Sequence, residues 1–181
     1  MTYYGGKQLA DSFRVVRNNT LTIAQDIPED KYSFRAAPDT RSVGELLAHI
    51  ALSYGFQYQV HAKEKRNTLV GFDFPALMQK LHADEKQPRT KAQVIELLHT
   101  NGETWAGWLE SQPEGFLSET VEMPPNAKPG TRTRFDMALS VKEHEMHHRG
   151  QLMLIERILG IVPHLTRDMQ ARFARASAVK S

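Results

Sequence analysis

The sequence predicts an all-α fold: a four-helix bundle with a long crossover loop between its third and fourth helices. Three observations lead there. Four long stretches repeat apolar residues at steps of three and four, the spacing of a single helix face. Two of these stretches open on a capping-box pattern. Only one region, Glu114 to Arg134, has an extended rather than a helical character.

The first helix carries Leu9, Phe13, Val16, Thr20, Ile23 and Ile27 on one seam, and Pro28 closes it. A polar connector follows. Ser42 then stands three residues ahead of Glu45, so its hydroxyl can cap the helix while the carboxylate reaches back. This second helix is expected to run unbroken to about Glu64, with Val43, Leu46, Leu47, Ile50 and Tyr54 on its stripe. The stretch from Gly71 to Lys86 is looser, with room for one short helix after Pro75. Thr90 and Gln93 repeat the capping logic for a third helix, which turns Val94, Leu97, Leu98, Trp105 and Leu109 inward and ends near Gln112-Pro113. The segment VEMPPNAKPGTRTRF reads as a short irregular hairpin around a Pro-Gly turn. A fourth helix starts near Thr133 and reaches Leu159, with Gly160 as its stop and Pro163 beyond. Its stripe holds Met137, Val141, Leu152, Ile155 and Leu159.

With 181 residues and no repeat or low-complexity tract, residues 1–181 are expected to form a single domain. Lysine and arginine number 23 against 21 acids, a net charge of +2. So even a balance argues against a nucleic-acid partner, which needs clustered basic residues. Arg167, Arg172, Arg175 and Lys180 make the end mildly basic, as on a solvated helix face. No cysteine is present, which removes disulfides, thiolate metal sites and a cysteine nucleophile. The opening MTYYGGKQLADSFR has no apolar signal core and no segment has membrane-spanning length, so the expectation is a cytoplasmic protein with no membrane partner.

The chemistry centres on KEHEMHHRGQL, residues 142–152. His144 and His148 lie about 40° apart around a helix, within the arc of Met137, Val141, Leu152 and Ile155. A single inward histidine is ordinarily a core residue satisfied by a carbonyl or carboxylate. Two on one stripe are harder to satisfy that way, and a divalent metal would serve both, because (i, i+4) spacing lets two rings converge on one ion. His49, bordering the stripe of the second helix, is the strongest candidate for a third ligand. His61, His82, His99 and His164 fall on polar or loop-like stretches and are expected to be exposed.

The string His144-Glu145-x-x-His148 is also the H-E-x-x-H of zinc peptidases. That reading fails for want of a downstream ligand. Glu156 shares the helix, His164 and Asp168 lie beyond Pro163 in what is expected to be a short tail, and Gln151 stands where the metzincin extension needs glycine.

Taken together, RSVGELLAHIA and HEMHHRGQL resemble the DinB/YfiT-like family, and the similarity runs from the first helix through the fourth. The resemblance implies a three-histidine metal site inside a four-helix bundle, with ligands at His49, His144 and His148. It further implies nickel or zinc, a homodimer, and relatives that use a low-molecular-weight thiol such as bacillithiol or mycothiol. A metal held by three imidazoles keeps an open position, so both attack by bound water and transfer of a bound thiol are available. The expected function is therefore a metal-dependent enzyme, a thiol-dependent transferase or a hydrolase, acting on a small molecule. The alternative is a non-catalytic or stress-related protein with a structural ion. Within the site, Glu145 is the candidate general base. Gln151 is a candidate to orient a ligand ring or bound water, and Arg149 to contact an anionic cofactor. Of Trp105 and Trp108, one is expected in the core and the other as a pocket wall.

Overall fold

The computed structural model describes residues 4–178. Lys180, part of the basic end noted above, lies outside them. Helix α1 spans Gly6–Asp26, α2 Val43–Leu52, α3 Gly55–Tyr58, α4 Phe74–Glu85, α5 Lys91–Glu110, α6 Glu114–Ser118, α7 Arg134–Ile158 and α8 His164–Ala178. Strands β1 (Thr120–Glu122) and β2 (Thr131–Thr133) form an antiparallel hairpin, with Thr120 opposite Thr133 and Glu122 opposite Thr131. No helix of the described residues is long and apolar enough to cross a membrane.

Helices α1, α2, α5 and α7 make the bundle. One half of the core joins Ile23, Ile27, Leu47, Ile50, Leu98, Leu152 and Ile155; the other joins Leu9, Phe13, Trp105, Leu109, Ala138 and Val141. Val60, Leu69, Val121 and Met137 form a smaller cluster under the hairpin. Both expected capping boxes are present: Ser42 accepts from the Glu45 amide and Thr90 from the Gln93 amide. At the α1–α5 crossing, a Cβ on Gly6 would stand 2.4 Å from the Leu109 carbonyl oxygen, so only glycine permits this approach.

Four local expectations need correction. The second helix is not continuous: it breaks after Leu52, resumes as α3 and ends in a π turn over Gln59–Lys63. Ser53 turns its hydroxyl back onto the Ile50 carbonyl (2.9 Å), a local bond that competes with helical hydrogen bonding. Gly55 then lets Leu81 of α4 come close, since a Cβ there would lie 3.2 Å from the Leu81 side chain. The loose stretch is a full twelve-residue helix, α4, capped by Asp73, whose side chain accepts from the Ala76 amide. The crossover begins with the one-turn helix α6 before the hairpin. The segment past Pro163 is the fifteen-residue helix α8 rather than a short tail.

Candidate metal centre

His49 lies in the last turn of α2, where helix carbonyl ends favour positive charge, and His144 and His148 are one turn apart on α7. Packing of α2 against α7 brings all three rings together. The His144 Nε2 stands 3.1 Å from both the His49 Nε2 and the His148 Nε2. One nitrogen from each ring fits within 4.8 Å of the others. The three residues named from the sequence therefore meet at a single point.

The protons on these rings can be assigned from their partners. His49 Nδ1 is 3.0 Å from Glu85 Oε2, a carboxylate oxygen that can only accept, so Nδ1 carries the proton. His148 Nδ1 lies 2.8 Å from Gln151 Oε1, while the Gln151 amide nitrogen faces His147 Nε2 at 3.2 Å. Gln151 thus presents its oxygen to His148, and Nδ1 again carries the proton. Both Nε2 atoms are left as bare lone pairs aimed at the third ring. His144 could donate to only one of them, and its Nδ1 is buried with no partner among the described residues. Such a set is short of positive charge. A cation bound by three nitrogens at about 2.0–2.1 Å would separate them by about 3.3 Å in tetrahedral geometry, close to the 3.1 Å found for the two pairs that share His144. The residues present fit a divalent metal.

The surroundings favour the neutral imidazoles that metal binding requires. Burial, with the neighbouring His148 and His49 rings, pushes His144 down to about 4. Burial also lowers His148, against the pull of its bond to Gln151. At Glu85, burial acts to raise the carboxyl, but the bonds from His49 and Arg41 outweigh it and hold it at about 2. Glu85 is therefore an anion locked between His49 and Arg41. It was missed in the sequence because α4 is weakly patterned, and only the packing of α4 on α2 carries its C-terminal turn to His49.

Two cavities meet at the histidines. One, of about 300 Å³, lies between α2–α3, α4 and α7; His49, His144 and Gln57 line it together with Leu52, Phe56, Phe74, Met78, Leu81 and Val141. The other is an open groove of about 980 Å³ bordered by Arg35, Arg41, Lys86, His148 and Gln151. Glu85 and His82 border both.

Several assignments change. Glu145 is not placed as a base: it is fully buried and both carboxylate oxygens are taken by Arg17, at 2.9 and 3.1 Å from the guanidinium Nε and 2.9 Å from Nη2. One residue past His144, about 100° around the helix, its side chain points between helices rather than toward the cluster. Arg149 lines neither cavity. Gln151 meets the His148 ring at Nδ1, 2.8 Å from its amide oxygen. His61 and His164 are buried rather than exposed, whereas His82 and His99 are exposed. Trp105 is in the core, but Trp108 stacks on it at 4.9 Å and on His61 at 6.2 Å and is no wall of the histidine cavity.

A four-helix bundle with three histidines converging from two of its helices defines a class of candidate metal-binding bundle proteins. The chain belongs to the DinB superfamily, whose family model matches residues 12–152. It is 26% identical over 155 residues to YjoA of Bacillus subtilis (strain 168), described as uncharacterized, a match covering 84% of this chain and 90% of YjoA. The crystal structure of that DinB-like YjoA superposes with a TM-score of 0.61 at 25% identity, over 84% of this chain and 92% of YjoA. YfiT from Bacillus subtilis, described as a probable metal-dependent hydrolase with an unusual four-helix bundle topology, gives a TM-score of 0.66 at 11% identity, over 89% of this chain and 91% of YfiT. The likeness to YfiT is one of fold.

Proposed function

We propose that residues 1–181 act as one domain that binds a divalent metal through the Nε2 atoms of His49, His144 and His148, and that the protein is a metal-dependent enzyme acting on a small molecule. The observation that carries this reading is the pair of bare Nε2 lone pairs on His49 and His148, each fixed by a proton-accepting partner behind it. Zinc or nickel suits a nitrogen-only ligand set. When bound, such an ion lowers the pKa of a coordinated water or thiol and stabilises negative charge on a coordinated oxygen.

The chain's own residues supply orientation and access. Glu85 and Gln151 hold two of the rings in the tautomer that leaves Nε2 free. The cavity between α2–α3, α4 and α7 offers mostly apolar walls on one side of the histidines, and the groove on the other is more polar and admits solvent or a second reactant. With Glu145 committed to Arg17 and Glu85 held between His49 and Arg41, a proton acceptor would have to come from another group bordering the cavities, of which exposed His82 is a titratable candidate. Hydrolysis is the branch that matches the description of YfiT; thiol transfer from a low-molecular-weight thiol is the other. A homodimer in the cytoplasm completes the proposal, and exposed Leu154, Ile158, Met169 and Phe173 on α7 and α8 supply apolar surface for pairing.

The test is metal content. Wild-type protein and His99→Ala should bind one equivalent of zinc or nickel by inductively coupled plasma mass spectrometry, and His49→Ala should bind none. Equal content in the two variants would sink the ligand assignment. Ester hydrolysis or thiol consumption that survives full chelation would sink the enzymatic reading while leaving the metal site intact.

A further inference from the structure

The apolar cavity holds one polar group whose orientation is dictated by a chain of hydrogen bonds starting at a charge. Arg134 donates through Nε to Glu119 (2.9 Å), and its Nη1 lies 2.9 Å from His61 Nδ1. A guanidinium only donates, so Nδ1 is bare and Nε2 carries the ring proton. That proton goes to Gln57 Oε1 at 3.0 Å. With its oxygen held there, Gln57 turns its amide nitrogen toward Ser140 Oγ (3.4 Å), whose own hydroxyl donates to the Met137 carbonyl (2.6 Å). Every link has a single direction. The assembly is also clamped by rings, because His61 stacks on Trp108 and the Arg134 guanidinium lies 4.5 Å over Phe116.

Gln57 is only 6% exposed, yet it lines the cavity beside His49 and His144, and its second amide N–H meets no acceptor among the described residues. The other polar groups of that wall cannot take its place. The Ser53 and Ser140 hydroxyl protons are committed to the Ile50 and Met137 carbonyls, Glu85 is an acceptor, and His82 is exposed rather than part of the buried wall. Away from the histidines, the buried wall therefore offers one spare donor in apolar surroundings. A buried donor left without a partner is unfavourable, and an acceptor on a bound molecule would satisfy it.

We infer that Gln57 determines specificity in this cavity: its spare N–H donates to a carbonyl-type oxygen of a small molecule whose apolar body, a single ring or short branched chain, fills the space between α2–α3, α4 and α7. His61 and Arg134 are positioning residues that act through Gln57. A volume of about 300 Å³ sits at the lower end of the range for ligand pockets and suits such a compact group. The inference deepens the functional reading by naming a substrate class, and it rests on that reading only in calling the occupant a substrate.

The test uses acetophenone and its hydrocarbon isostere isopropenylbenzene, which share shape and differ in the acceptor. Both are titrated into chelator-treated wild-type protein, Gln57→Leu and His61→Phe, with affinities from ligand-observed NMR. Working without metal keeps the outcome separate from the fate of the metal assignment. The ratio of the two affinities should move against acetophenone by about fivefold in each variant, the size of one neutral hydrogen bond. Should a variant fail to fold, the wild-type readout decides: acetophenone should shift the Gln57 side-chain amide resonances and isopropenylbenzene should leave them in place. A ratio unchanged across the folded variants, no binding of either probe, or a Gln57 amide indifferent to acetophenone overturns the inference.

Discussion

Arg17 of α1 and Glu145 of α7 form a fully buried, two-point ion pair at the centre of the bundle. The same guanidinium also donates to the Leu98 carbonyl of α5 and, at 3.5 Å, to the Ile50 carbonyl of α2. One arginine thus touches all four bundle helices, and Gly102 of α5 leaves it room, since a Cβ there would come within 3.0 Å of it. The glutamate of the H-E-x-x-H string is thus held by Arg17 in the bundle interior, away from the histidine cluster.

Glu145→Gln should therefore destabilise the protein by about 3–5 kcal/mol in urea denaturation, because Arg17 would remain buried without its counter-charge. The double variant Arg17→Met with Glu145→Met should recover most of that loss. Folded Glu145→Gln should keep its full metal equivalent. Loss of metal with unchanged stability would return Glu145 to the site.

Glu85→Ala and Gln151→Ala should each weaken zinc affinity about 10–100-fold without changing the stoichiometry, because each removes the acceptor that fixes a ligand ring. Competition with a chromogenic chelator measures this. Unchanged affinity in both would mean that the rings hold their tautomers unaided.

Glu156 is fully buried, and neither carboxylate oxygen has a partner among the described residues. Burial, aided by Asp26, raises it to about 7 from the model-compound value of 4.5. The folded state therefore holds this proton more tightly than the unfolded chain does. Its favourable contribution is complete below about pH 4.5 and is lost as pH rises through about 7. Glu156→Gln should match wild type in stability near pH 4.5 and exceed it by about 1–3 kcal/mol at pH 8. A pH-independent difference between the two denaturation curves would contradict this.

Gly6→Ala should cost about 1–3 kcal/mol, since its Cβ would collide with the Leu109 and Gln112 carbonyl oxygens and force α1 away from α5. Gly107→Ala, with open space around its Cβ position, is the control and should change stability little. Thermal melts of the two variants settle the comparison.

The helices, their caps and the inward arc of His144 and His148 were legible in the sequence because each depends on neighbours within a turn or two, and 3.6-residue periodicity encodes which residues share a face. The bundle class and the candidate ligand His49 followed from that pattern together with the family resemblance. What periodicity cannot encode is which residue of a distant helix stands opposite. Glu85 reaches His49 only because α4 folds over α2, and Arg17 finds Glu145 across 128 residues of sequence. His61 looked exposed by its polar neighbours, yet the π turn and the crossover bring it against Gln57, Trp108 and Arg134 in the interior. The chain alone pointed to the bundle and, with the family resemblance, to its three converging rings. Tertiary packing decided their partners, because a buried charge or proton is satisfied by whatever group the fold brings within about 3 Å.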